Sequence, residues 1–247
     1  MLYFRGCVVR EKLPQIEMAT CMVLKKAGID YDIVDGEECC GSFLLRTGFT
    51  DDALQVMHKT SQNLKDETIL VSCAGCYNTL KNDYKKYLGV ELDVIHTSQL
   101  FSNLIKQGII KPKKLPVNVC YHDPCHLGRH CGEYQSPREV LASVANLVPM
   151  ENEKENSHCC GAGGGVKSAY PELASEIALK RVDDALQAGA ELLVTCCPFC
   201  VLNLESEKLK VIDLTEFFCL CNSVESLENN ISKEDILKKS PNTQKKI

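Results

Sequence analysis

The sequence predicts an α/β protein of two tandem, pseudo-symmetric βαβ-type units with parallel sheets, and two observations carry that prediction. Short apolar runs alternate with amphipathic stretches along the 247 residues, the pattern of strands separated by helices. The chain also repeats itself: Cys7, Cys39, Cys40, Cys73 and Cys76 are matched by Cys125, Cys159, Cys160, Cys197 and Cys200. In the first half 31 residues separate Cys7 from Cys39 and 32 separate Cys40 from Cys73; in the second the counts are 33 and 36. A Cys-Cys-Gly triplet stands at 39–41 and again at 159–161. The stretch Asp93-Val94-Ile95-His96-Thr97 before Leu100-Phe101 resembles Lys210-Val211-Ile212-Asp213-Leu214-Thr215 before Phe217-Phe218. The units therefore span 1–110 and 111–222, followed by a polar tail, 223–247.

In the first unit Leu2 to Phe4, Tyr31 to Val34, Thr68 to Ser72 and Leu92 to Ile95 read as strands, being short and apolar. Gln15 to Ala27 reads as a helix ended by Gly28, which can take the left-handed conformation at that point. Thr50 is a candidate N-cap for a helix from Asp51, with Ala53, Val56, Met57 and Leu64 along one face. The second unit follows the same order. Val117 to Tyr121 is its first strand, a helix runs from Pro171 to Ala188 before Gly189, and Glu191 to Thr195 is a further strand. In the tail a short helix capped by Ser232 and Asp235 is the one expected element. Each CxxC pair follows a strand directly and opens a helix, and Cys7 and Cys125 follow the first strand of their unit. Open parallel sheets bind their ligands beyond the carboxyl ends of the strands, so the five cysteines of a unit can converge on one sheet edge.

Composition narrows the chemistry. Lys plus Arg total 28 against 33 Asp plus Glu, a net charge of -5, which argues against binding nucleic acid or an anionic membrane surface. No run approaches 18 apolar residues, so no transmembrane span is expected, and the opening MLYFRGCVVREK lacks the pattern of a signal peptide. A cytoplasmic location follows. Thiols are kept reduced there, so sixteen clustered cysteines read as metal ligands or redox groups before they read as disulfides.

Thiolates select zinc or iron–sulfur clusters. Pairing Cys73 and Cys76 with Cys197 and Cys200 would give a zinc tetrahedron, but would leave Cys7, Cys39, Cys40 and their counterparts unused. Five cysteines per unit are one too many for an ordinary four-iron cube, so either the fifth is a free thiol or the cluster is not a simple cube. Adjacent cysteines reach one cluster only through a tight turn, which Gly41 and Gly161 permit; Gly163, in the run that follows Cys159 and Cys160, allows backbone to approach the cluster closely.

The pattern C-x31-CCG-x31-CxxC followed by C-x33-CCG-x35-CxxC resembles the CCG cysteine-rich domain family, and within it the catalytic B-type and D-type subunits of heterodisulfide reductases. The closest likeness is to the B-type subunit, and the second unit, with YHDPCHLGRH, HCCGAGGG and CPFC, also resembles the catalytic region of the D-type subunit. The resemblance implies two noncubane [4Fe-4S] clusters, one held by Cys7, Cys39, Cys40, Cys73 and Cys76, the other by Cys125, Cys159, Cys160, Cys197 and Cys200. It also implies that these ten residues are catalytic. The family cleaves the mixed disulfide of coenzyme M and coenzyme B, a reaction of methanogenesis, with the substrate placed between two clusters. No ferredoxin motif is present, so the expected electron donor is a separate ferredoxin-like iron–sulfur subunit, with or without a flavin subunit, and the substrate is an anionic disulfide. The interval from CCG to CxxC is shorter in the first unit, which would reshape the rim of that site.

Other residues are weighed against plainer roles. Cys196, beside Cys197, reads as a buried spectator. Cys21, Cys120, Cys131, Cys219 and Cys221 read as small core residues. His122, His126, His130 and Cys131 could form a zinc site, but Pro124 disfavours the helix it would need, and His122 or His126 suits a hydrogen bond near the second cluster better. Arg5, Arg10, Arg129 and Lys167 are candidates to meet an anionic substrate. Two other functional classes stay open: an iron–sulfur electron-transfer subunit of a flavin-linked 2-hydroxy-acid oxidase, and a zinc-stabilised interaction module.

Overall fold

The computed structural model describes residues 1–64, 67–222 and 237. The expected tail helix at Ser232 and Asp235 lies outside the described residues. The first half runs β1 (Leu2–Phe4), α1 (Cys7–Lys12), α2 (Pro14–Lys26), β2 (Asp32–Ile33), α3 (Ser42–Arg46), α4 (Thr50–Ser61), β3 (Ile69–Val71), α5 (Ala74–Asn78), α6 (Tyr84–Leu88), β4 (Val94–His96) and α7 (Thr97–Lys106). The second runs β5 (Asn118–His122), α8 (Gln135–Val144), β6 (Asn146–Leu147), α9 (Val166–Ala169), α10 (Pro171–Gln187), β7 (Leu192–Thr195), α11 (Pro198–Leu204), β8 (Val211–Asp213) and α12 (Leu214–Asn222).

Two four-stranded, all-parallel sheets result, with the orders β2-β1-β3-β4 and β6-β5-β7-β8. The expected architecture is therefore present, duplicated strand for strand. The registers match as well. Phe4 faces Val71 at the end of β1, as His122 faces Thr195 at the end of β5. Strands β3 and β7 are buried along their whole length, which suits a parallel sheet covered on both faces and accounts for their unbroken apolar sequences.

Departures from the expected elements are local. Proline at the first helical position starts α2 at Pro14. Thr50 is the first residue of α4, not its cap: the turn at Gly48 places the Phe49 amide on the Leu44 carbonyl, and the Phe49 carbonyl already accepts from Ala53. Strand β4 ends one residue later than expected because His96 both pairs with Val71 and caps α7. The short helices α1, α3 and α9 hold four to six residues each, too few for a periodicity to register.

The two halves are tied together by their last helices. Helix α7, which ends the first half, packs on α8 of the second; α12, which ends the second, packs on α2 of the first. Where α7 and α12 meet, Phe101 and Phe218 stack with ring centroids 5.0 Å apart. Each of these rings stands five residues past the last residue of its fourth strand. Contact between equivalent positions marks a pseudo-two-fold axis. Beside it, the Thr215 hydroxyl donates to that of Thr97 at 3.3 Å. One hydrophobic core runs through both sheets, and Val201 of α11 packs with Val9, Leu13 and Ile16 of the first half. Among the described residues no helix is long and apolar enough to cross a membrane.

Phe101 and Phe218 are both fully buried. Truncating either to alanine is expected to cost about 3 to 5 kcal/mol in urea unfolding, and the double variant less than the sum, because the second truncation removes a ring whose partner has already gone.

Candidate metal centre

Each CxxC pair is set by the junction of a buried strand and a short helix. Cys73 and Cys197 have extended backbone immediately before α5 and α11, and Cys76 and Cys200 lie three residues on, so both thiols of a pair share one side of the first turn. Pro198 starts α11 at no cost, since the amide it lacks would have no partner there. Cys7 opens α1 just beyond β1, and Cys125 follows β5 by three residues.

The Cys-Cys-Gly triplets use glycine as expected. Gly41 and Gly161 adopt left-handed conformations, with φ of 85° and 84°, and a side chain at Gly161 would come within 2.6 Å of the Ala174 carbonyl. The turn brings each glycine amide back onto the first cysteine of its own triplet: Gly41 N–H donates to Cys39 Sγ at 3.4 Å, and Gly161 N–H to Cys159 Sγ at 3.2 Å. Gly163 lies on the wall of the cavity described next.

All ten cysteines of the two sets line one cavity, which holds about 890 Å³ of atom-free space including its mouth. In the first set Cys7 and Cys39 sulfurs are 3.9 Å apart; in the second Cys160 and Cys200 are 3.3 Å apart. The sets touch on the pseudo-two-fold, where the thiol of Cys73 lies against that of its equivalent, Cys197. The other eight cluster around these. Cys40 bonds both Cys39 and Cys76, and Cys159 bonds Cys160.

So many buried thiols cannot all ionise unaided. Donation from the thiols of Cys40 and Cys7 holds Cys39 well below the ordinary thiol range, while Cys7 and Cys40 are pushed up, first by the same contact with Cys39 and then by burial. In the second set Cys160 and Cys197 are held low by neighbouring thiols, and Cys159 and Cys200 are pushed high by the same contacts. Full deprotonation needs several positive charges inside the cage, and a polynuclear iron–sulfur cluster supplies that where one zinc ion would leave most of the ten sulfurs unused. The donor set therefore fits iron–sulfur clusters.

Arg5, Ser42, Phe43, Arg46, His126 and Phe199 share the wall with the thiols. Of the four basic candidates only Arg5 is among the lining residues, and it is engaged by Glu17 at 3.1 Å and by Glu37. Arg10 is bound by the carbonyl and carboxylate of Glu37, Arg129 donates to the Ser157 carbonyl at 2.8 Å, and Lys167 to the Leu202 carbonyl at 3.1 Å. Arg10 and Arg129 brace loops and Lys167 ties α9 to α11, and none of the three is on the cavity wall. Arg46, paired with Asp83 at 2.6 Å, escaped the sequence reading although it stands five residues past Gly41, on the helix that the triplet opens.

The four residues weighed as a zinc site do not assemble. His122 lies with Cys160 and Cys200, whereas His126 and His130 lie near Cys125. Cys131 turns away to Asn78 and Asn82. Cys196 is 1% exposed, packed beside Tyr121 and absent from the cavity wall, as a spectator should be. Cys120, Cys219 and Cys221 are core residues, but Cys21 and Cys131 are only half-buried.

Behind the meeting point of the two sets lie His96 and Asp213, the last residues of β4 and β8, each accepting the amide two residues ahead. Both are fully buried. Burial holds the Asp213 carboxyl well above its ordinary range and the His96 imidazole down to about 4.

The family model described as "Cysteine-rich domain" matches residues 1–81 and 119–205 of the chain. The D-type component of the dihydromethanophenazine:CoB–CoM heterodisulfide reductase of Methanosarcina mazei is 42% identical over 216 residues, which cover 83% of this chain and 53% of that protein. The B-type component of the fumarate reductase (CoM/CoB) of Methanothermobacter marburgensis is 39% identical over 229 residues, 90% of this chain and 46% of that protein. The EtfAB:quinone oxidoreductase of Syntrophomonas wolfei is 34% identical over 243 residues, 87% and 33% respectively. The chain spans about half the length of the first two.

The burial of His96 sets a pH dependence. Its pKa is lower in the folded state than in the unfolded chain, so the unfolded chain takes up a proton first as pH falls, and stability that is complete above about 6.5 declines towards about 4. The loss from this group is on the order of 3 kcal/mol at the acid end. His96→Asn keeps a favourable cap for α7 and is expected to flatten the decline, as measured by urea unfolding at pH 7 and pH 4.5. An unchanged slope would assign the acid sensitivity elsewhere.

Proposed function

The chain belongs to the CCG cysteine-rich domain family, and on that premise we propose that it is the disulfide-reducing iron–sulfur module of a heterodisulfide reductase-type enzyme. Family membership supports an iron–sulfur redox subunit of an oxidoreductase. The finer reading rests on one observation: both cysteine sets line the same cavity and meet at Cys73 and Cys197. A substrate entering that cavity is within reach of both.

Cys7, Cys39, Cys40, Cys73 and Cys76 would hold one noncubane [4Fe-4S] cluster, and Cys125, Cys159, Cys160, Cys197 and Cys200 the other. When bound, such clusters supply electrons one at a time and iron atoms that can take a thiolate. The protein's own groups do the rest. Phe43 and Phe199 on the wall give the cavity apolar surface against which a substrate can pack. Arg5 and Arg46, each held by carboxylates, and His126 give the wall hydrogen-bonding points that an anionic disulfide could meet. The overall reaction takes two electrons and two protons and yields two thiols from one disulfide. The names of two relatives, the heterodisulfide reductase and the fumarate reductase, both carry coenzymes M and B, and this supports the mixed disulfide of those thiols as the substrate class. In this reading electrons come from a ferredoxin-like iron–sulfur subunit, with or without a flavin subunit, in the cytoplasm.

Anaerobically purified protein is expected to contain about eight iron and about eight acid-labile sulfide per chain with little zinc, and to reduce the coenzyme M–coenzyme B disulfide with reduced viologen. Cys39→Ser should remove about four of the iron atoms together with turnover, leaving the other set loaded. About one zinc and no colour would overturn the cluster reading; about four iron in the unaltered chain would overturn reduction between two clusters.

A further inference from the structure

The second cysteine set has a neighbour that the first lacks. His122 is the last residue of β5, three positions before Cys125; Phe4, the last residue of β1, stands three positions before Cys7 in the matching register. The His122 ring is buried, and its Nδ1 accepts a hydrogen bond from Nε of Arg181 at 3.2 Å. Arg181 is itself fully buried in α10. It is fixed by the Asn152 carbonyl at 2.8 Å, the Ser157 hydroxyl at 3.1 Å and the Asp184 carboxylate at 3.2 Å. His158 takes the same carboxylate oxygen at 2.7 Å.

A guanidinium has five donors and no acceptor. His122 Nδ1 must therefore present its lone pair to Arg181, so the ring is neutral and its proton sits on Nε2. His122, Cys160 and Cys200 offer ligand atoms within 4.8 Å of one another, so the His122 ring lies beside the Cys160 sulfur. From distances alone His122 could pass for a metal ligand. A ring nitrogen that carries a proton has no lone pair in the ring plane to give to iron.

We propose that His122 is a fixed hydrogen-bond donor to the second iron–sulfur centre and not one of its ligands: Arg181 orients the ring, Nε2–H points at Cys160 Sγ, and the bond raises the reduction potential of that centre. Arg181 acts as the positioning residue, through His122. The direction follows from charge, since a donor to a ligand sulfur stabilises the more electron-rich, reduced state. Phe4 offers no donor at the corresponding place, so the two centres differ in this respect although their cysteines match. The inference rests on the cluster-binding reading above.

The test is an EPR-monitored redox titration of the loaded protein, with iron analysis, on the unaltered chain, His122→Asn and His122→Gln. Asparagine keeps an oxygen near the place of Nδ1 and so keeps Arg181 satisfied, but is too short to reach Cys160; glutamine carries an amide N–H out to that sulfur. His122→Asn is expected to keep its iron and to make the second centre about tenfold harder to reduce, about 59 mV for a one-electron couple, and His122→Gln to recover most of that shift. Loss of about half the iron from both variants would make His122 a ligand, and identical potentials in all three proteins would mean that no bond reaches the sulfur; either result overturns the inference. Failure of the unaltered chain to hold iron would sink the cluster reading instead, and is seen before any variant is made.

Discussion

Ten thiols around one cavity, most of them buried, cannot all carry charge unless cations enter among them, and much else in the molecule answers to that constraint. A buried thiolate without a partner is too costly to keep, so the chain either holds its protons or gains metal. The two glycine amides turned onto Cys39 and Cys159 offset part of the cost, and the thiol-to-thiol contacts spread the remainder. Everything that surrounds the cavity serves to keep these sulfurs together before metal arrives: buried strands that stop two residues short of each CxxC pair, left-handed glycines, and arginines spent on bracing loops.

Duplication explains why there is one cavity and not two. The last helix of each half packs on a helix of the other, and the carboxyl ends of β3 and β7 are brought face to face where Cys73 meets Cys197. Equivalent residues then touch, Phe101 with Phe218 deep in the core and Cys73 with Cys197 at the sulfur-lined end. Symmetry of this kind fixes the approach of the two cysteine sets without needing a dedicated linker. It does not make the surroundings identical, as Phe4 and His122 show.

The sequence carried the fold and the sulfur ligand candidates because both have local signatures: apolar runs bounded by polar stretches, and cysteines at repeated intervals. Strand β4 ends one residue later and helix α4 starts one residue earlier than expected, since capping by His96 and the turn at Gly48 are decided by hydrogen bonds that no periodicity reports. The wall of the cavity was less legible. Arg5 was found there, but Arg10, Arg129 and Lys167 proved to be held by carbonyls near them in space, and Arg46 was missed. The role of Arg181 had no sequence signal at all. In KRVDD on a helix it looks like one more solvated charge, and only the packing of α10 against β5 puts it, fully buried, behind His122.

The packing of helices between the halves also bears on how the chain is made. Helix α2 is covered by α12, and Lys26 donates to the carbonyl of Asn222, a contact that spans 196 residues. During synthesis the first half leaves the ribosome before that cover exists, by roughly 6 to 22 s at ordinary elongation rates. For that interval one flank of the first half and its reduced thiols stand open. Closure late in translation therefore orders events: the nascent first half needs shielding from oxidation and from wrong partners, and metal loading that depends on both halves can begin only once α12 has docked.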